Sequence, residues 1–172
     1  MAEPNVIPGD LQVKGSAQFG TLSLPASTVT NTMVSATAAI DASKLLHMVN
    51  QTEQLFGPTT TVTALSYDVY IGKGIGTLTA FRAFITTVAS GADRTITVDL
   101  HKSTAGGAFA TVLSGTIGFT NVSAVRTLVS GTISPTAYVA GDLFRVIVSV
   151  AGAAGAQALG LTAALVTYEA TT

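Results

Sequence analysis

The chain has 172 residues, 48% of them hydrophobic and only 10% charged, with a formal net charge of -1. No basic field exists to hold a polyanion, which excludes nucleic-acid binding of the usual electrostatic kind. Cysteine is absent, so disulfides, Cys-ligated zinc and a thiol nucleophile are excluded together.

Residues 1–58 have sparse apolar positions, and Pro4, Pro8 and Pro25 interrupt any regular element. The polar, acidic start at Met1-Ala2-Glu3 lacks the pattern of a secretory signal. Leu11–Lys14 and Thr21–Leu24 fit short strands, separated by Gly15 and Gly20. No periodicity here is long enough to bury a core, so the segment is expected to be an extended N-terminal arm that gains order on contact. Its one helical signal spans 38–48, where Ala38, Ala39, Ala42 and Leu45 are good helix formers and Asp41 or Ser43 is placed to cap. So short a helix is marginal alone and needs a surface to dock on. The contact candidates are therefore Leu11, Val13, Leu22 and Leu24 in the arm, with Ile40, Leu45 and Leu46 on the helix.

From Thr59 the texture changes, and residues 59–172 are expected to form one β domain. Alternating runs fall at 60–71, 77–89, 94–102, 108–119, 123–133, 137–150 and 157–169, with turn chemistry at Gly91–Asp93, Ala105–Gly107 and Ala140–Asp142. In Thr95–Leu100, the alternation points Ile96, Val98 and Leu100 inward. Short strands at this spacing predict an all-β fold, a sandwich of jelly-roll type. The apolar stretch from Leu143 to Val166 fits two strands joined as a hairpin through Ala151–Gly155 better than a membrane span. Several strands are apolar on both sides: Phe84 and Val88 oppose Phe81, Ala83 and Ile85, and Leu143 and Ile147 oppose Val146, Val148 and Val150. A sandwich in water needs one apolar face per sheet, so a second buried surface, a subunit interface, is expected.

The residues that bear chemistry make no site. His47 and His101 do not define a metal centre. Asp68 and Asp99 lie in separate strands, with nothing to hold them as a glycosidase pair. Gly72-Lys73-Gly74-Ile75-Gly76 matches neither phosphate-loop pattern and is expected to be a flexible connection. Asp99 and His101 share a strand face, as surface hydrogen-bond partners do. No catalytic residue, cofactor or metal ligand is expected.

One pattern is recognisable. Leu24-Pro25-Ala26-Ser27-Thr28-Val29-Thr30-Asn31-Thr32-Met33-Val34, followed by Ala38-Ala39-Ile40-Asp41-Ala42-Ser43-Lys44-Leu45-Leu46-His47, resembles a segment of tailed-phage head-fibre, decoration (cement) and minor capsid proteins. Tyr138-Val139-Ala140-Gly141-Asp142-Leu143, ahead of a Val-rich strand, is similar to the jelly-roll portion of that group. The resemblance implies a homotrimer on the outer surface of a phage capsid, seated on the major capsid protein and assembled in the host cytoplasm. It implies no catalytic residues and no membrane. Relatives carry Glu-His-Gln or Val-His-Gln where this chain has Leu46-His47-Met48, so no role passes to His47. The alternative is a receptor- or glycan-binding fibre module, with recognition at exposed loops near Tyr67, Tyr70 or Tyr138.

Overall fold

The computed structural model describes residues 46–170 apart from 135, 136 and 154, all within the compact unit Ile40–Thr172. The described residues contain no helix. Leu11, Val13, Leu22, Leu24, Ile40 and Leu45 lie outside them, as does most of the helix expected over 38–48. Its last residues, Leu46, His47 and Met48, are not helical. They open the long strand β1 (Leu46–Thr61), which runs through the boundary expected at 58/59. The physical reason is a ladder: Leu46 to Glu53 pair in register with Ala170 to Ala163, and cross-strand hydrogen bonds outweigh a weak local helix preference.

The long strands that follow are β2 (Leu65–Ile71), β3 (Ile75–Thr87), β4 (Thr95–Ser103), β11 (Leu143–Ala151) and β12 (Leu159–Ala170). Between β4 and β11 lie six short pieces: β5 (Ala110–Thr111), β6 (Leu113–Gly115), β7 (Ile117–Phe119), β8 (Val129–Ser130), β9 (Thr132–Ile133) and β10 (Ala137–Tyr138). The runs expected at 108–119, 123–133 and 137–150 are thus broken up. In the last of these, Gly141 takes a φ of 86° and the Asp142 N–H donates to the Val139 carbonyl at 3.1 Å, so the chain turns before β11.

Two sheets result. The first has the order β1-β12-β3-β10, with β8 also on β3; the second has the order β2-β11-β4-β5, with β7 also on β4. β1 to β4 alternate between the two sheets along the chain, β11 joins β2 and β4 in the second and β12 returns to the first, and all pairings are antiparallel. This is the wound double-sheet topology of a jelly roll. One expectation fails here. β11 and β12 are not a hairpin, because β11 sits between β2 and β4 while β12 sits between β1 and β3. The Gly-rich link between them crosses from sheet to sheet. It is pinned by Arg94, whose guanidinium donates to the Ala153 carbonyl at 2.9 Å, and by Asp93, which accepts from the Ala153 N–H at 3.1 Å.

The core fills the space between the sheets. Phe81, Ala83 and Ile85 of β3 and Leu161, Ala163 and Leu165 of β12 face Ile96, Val98 and Leu100 of β4 and Val146 and Val148 of β11, all buried. The expected inward sets of β3, β4 and β11 are the observed ones, with Val150 only partly buried against the core. Val88, expected opposite Phe81, also packs partly against the core, beyond the end of β3.

Candidate functional site

Three places concentrate side-chain chemistry. The first lies inside the sandwich at the end where β2 turns into β3. The inward alternation of β12 continues past Leu165 to Thr167 and Glu169, so a carboxylate is carried into the interior, only 3% exposed. The Tyr70 hydroxyl donates to Glu169 Oε2, and the Tyr138 hydroxyl reaches the same oxygen at 3.5 Å. Glu169 Oε1 has no hydrogen-bond partner among the described residues. The rings of Tyr70, Tyr138 and Phe144 close round it, with Tyr138 edge-on to Phe144 at 5.3 Å and to Tyr70 at 6.3 Å. Burial, then the bond to Glu169, pushes the Tyr70 phenol well above its ordinary value; burial also raises Tyr138. Both stay neutral donors at any physiological pH.

This cluster explains the glycine run. A Cβ on Gly76 would stand 2.2 Å from the Tyr138 ring, and one on Gly72 would stand 2.7 Å from the Val139 carbonyl. A Cβ on Gly74 would meet the Ala170 carbonyl at 2.0 Å. Period-two glycines here let β12 and the Tyr138 ring lie directly on the backbone, so the segment is a packing surface rather than a flexible connection. Lys73 between them is exposed. Next to it, Asp142 is buried, accepts from the Val139 N–H at 3.2 Å and pairs with Lys102 Nζ at 3.2 Å.

The second place is the outer face of the second sheet. β11 sets Arg145 beside Asp68 of β2 on one side and His101 of β4 on the other. Arg145 binds Asp68 through two nitrogens, at 2.6 and 3.1 Å, and lies 3.9 Å from the centre of the Phe109 ring. That pairing, chiefly the hydrogen bond, holds the Asp68 carboxyl below its usual range. His101 Nε2 and Asp99 Oδ2 are 3.0 Å apart, and Asp99 Oδ1 accepts from Thr111 Oγ1 at 2.7 Å. Thr111, the hydroxyl at hand, is bonded to the acid and not to the imidazole, so no nucleophile-base pair forms here. Asp68 and Asp99 flank β11 from opposite sides, each already engaged.

The third is the outer face of the first sheet. Register and burial turn Met48, Asn50 and Thr52 of β1, Thr162, Ala164, Val166 and Tyr168 of β12, and Arg82 and Phe84 of β3 outward. A groove of about 240 Å³ lies between Phe84, Leu128, Ala164 and Val166, with Arg82 at its side.

Of the contact candidates only Leu46 falls in the described strands, where its backbone pairs with Ala170 at the start of β1. Tyr138, expected near an exposed recognition loop, is 2% exposed, and the Tyr70 hydroxyl is turned inward to Glu169; Tyr67 alone of the three is exposed. Tyr138 is buried and Tyr70 partly buried, and in β2 a register shift between Asp68 and Tyr70 lets Tyr70 turn inward while Asp68 faces out. Glu169 escaped the sequence reading because a Glu near a strand end suggests solvent. The signal that finds it is parity, counted inward from Leu161, Ala163 and Leu165.

No cluster of three or more metal-ligating side chains occurs among the described residues. No helix among them is long and apolar enough to cross a membrane.

No protein-family model matches the chain, and no curated protein matches it. Among solved structures it is similar to the capsid of Ralstonia phage GP4, with a TM-score of 0.48 and 18% identity over 78% of this chain and 90% of that one. It is also similar to infectious bursal disease virus Gx strain, at a TM-score of 0.37 and 14% identity, covering 86% of this chain and 38% of that one. Desmodium yellow mottle tymovirus follows at a TM-score of 0.33 and 11% identity, covering 88% and 95%.

Proposed function

We propose that this chain is a structural virion protein, a homotrimeric decoration or cement protein on the outer surface of a phage head. The observation that carries the proposal is the outer face of the first sheet. It is half apolar and nearly uncharged on a chain with only 10% charged residues. Such a surface suits assembly rather than open solvent. The resemblance of residues 24–47 to tailed-phage head proteins points the same way.

In this reading the chain acts by adding buried apolar area across seams between major capsid subunits, at about 25 cal/mol per Å². Leu11, Val13, Leu22, Leu24, Ile40, Leu45 and Leu46 supply the contacts, and three-fold avidity multiplies them. The site chemistry suits such a role: each titratable pair described above is committed to internal bonds.

The test is co-sedimentation with purified capsids that lack the protein. Full-length chain should co-sediment, and the chain without residues 1–45 should not, while keeping its β-type circular dichroism. The cut must stop before Leu46, because β1 begins there. Normal decoration by the truncated chain would remove the arm from the mechanism. Absence of capsid binding by full-length chain, together with hits on a glycan array, would favour the fibre-module alternative.

A further inference from the structure

Both outer faces of the sandwich carry apolar side chains, but they carry them differently. On the second sheet Leu143 and Ile147 are interleaved with Asp68, Arg145, Asp99 and His101, which bond across strands as a solvated lattice does. On the first sheet the outward positions of β1, β12 and the middle of β3 hold one formal charge, Arg82. Arg82 has no acidic partner among the described residues. A water-facing antiparallel sheet is ordinarily polar on that side, and this one is half apolar and carries one charge.

We propose that the outer face of the first sheet is buried against a second copy of this chain, with the faces of neighbouring copies turned toward a common axis. This rests on the homo-oligomer of the proposed function and names the surface that forms it.

Three observations favour a second copy over another partner. The face holds both the hole and the knobs: the groove at Phe84, Ala164 and Val166 lies beside Leu128, which is 53% exposed, with Met48 at 62% and Tyr168 at 43% on the same sheet. A surface with both is complementary to itself. Charge fits as well. The lone Arg82 has no acidic partner among the described residues, and the same face on another copy offers the Asn50 amide oxygen and the Tyr168 ring and hydroxyl. One cation is far too little to hold a nucleic acid or an anionic lipid surface. The area is sufficient. Three strands about 4.8 Å apart and roughly 40 Å long give a footprint of about 600 Å² per copy, the lower range of specific interfaces.

The test compares the wild-type chain with Ala164→Glu on this face and Thr97→Glu on the outer face of the second sheet. Mass is read by light scattering from micromolar to nanomolar concentration, and fold by circular dichroism. Wild type and Thr97→Glu should remain oligomers, while folded Ala164→Glu should fall to the monomer mass. Self-association should weaken at least about 100-fold, because a buried unpaired carboxylate is introduced. A folded Ala164→Glu that stays oligomeric overturns the inference but leaves a trimeric decoration protein standing. Equal dissociation by Thr97→Glu also overturns it. A wild-type monomer overturns it too, and capsid co-sedimentation of that monomer then decides separately whether decoration survives.

If Ala164→Glu fails to fold, a second probe decides. The chain has no cysteine, so Thr162→Cys can carry a single pyrene label on this face. Excimer emission that disappears on dilution supports the inference. Monomer emission alone from a sample with oligomer mass overturns it.

Discussion

The middle of the sandwich and its Tyr70 end are built from the same strands by opposite means. In the middle, Leu161, Leu165, Val98 and Val146 meet with no polar atom between them, and area burial holds the sheets together. At the Tyr70 end, the same β12 delivers Glu169, and the sheets are joined by phenol-carboxylate bonds inside a ring cluster. The difference teaches where a jelly roll tolerates polarity. A buried carboxylate survives where two neutral donors from different strands converge on it and glycines let the rings come close.

The contrast can be broken most strongly from the apolar side. Leu161→Ala removes a fully buried side chain from the central strand of the first sheet and should cost about 3–4 kcal/mol in chemical denaturation. A loss below about 1 kcal/mol would show that the middle is not the main source of stability. Next comes Gly76→Ala, which drives a methyl group into Tyr138. The ring is boxed in by Tyr70 and Phe144, so about 2–3 kcal/mol should be lost. A neutral result would mean the glycine run is not a packing surface.

Tyr70→Phe tests the polar end directly and should cost about 1–2 kcal/mol, since it takes a donor from a buried carboxylate. If Tyr70→Phe proves stabilising, Glu169 is not held by its phenols. Tyr70 also gives a pH dependence. Its phenol is raised on folding, so its contribution is fully present below the unfolded value of about 10 and is lost as pH rises beyond it. Alkaline melts above that pH should fall more steeply for wild type than for Tyr70→Phe, and parallel curves would contradict the assignment.

The smallest effect belongs to the outer lattice. Asp68 is held below its usual range by Arg145, so its contribution is present above the unfolded carboxylate value and disappears as pH falls through the lowered folded one. The pair is exposed and screened, so Asp68→Asn should leave the neutral-pH melting temperature nearly unchanged. A large drop would mark this lattice as structural rather than solvating.

How far the sequence spoke depends on the range of the forces involved. β4 was legible because Ile96, Val98 and Leu100 alternate within six residues, and the two-sided character of β3 was legible from Phe81 and Phe84. The assignment of β11 and β12 to different sheets was not, since it is fixed by partners scores of residues away. The helix expected at 38–48 shows the same limit at its end. Leu46 to Met48 follow the pull of Ala170 to Tyr168, which no local window contains. In the candidate site, the Asp99–His101 pair could be read from strand parity, but its engagement by Thr111 could not. Asp142 accepts from the Val139 N–H within its own turn, as a local signal allows, whereas the Asp93 bond to the Ala153 N–H spans 60 residues and has no local signal.

The placement of β12 also sets a timetable for synthesis. It lies between β1 and β3, so the centre of the first sheet is supplied by a strand made well after both of its neighbours. Until Leu159–Ala170 emerges, β1 and β3 have a gap where their shared neighbour belongs, and long-range closure of this kind is slow. The face proposed to join copies includes β12 itself. Subunits therefore acquire the means to recognise one another only once β12 has docked between β1 and β3, which delays association until that sheet is closed.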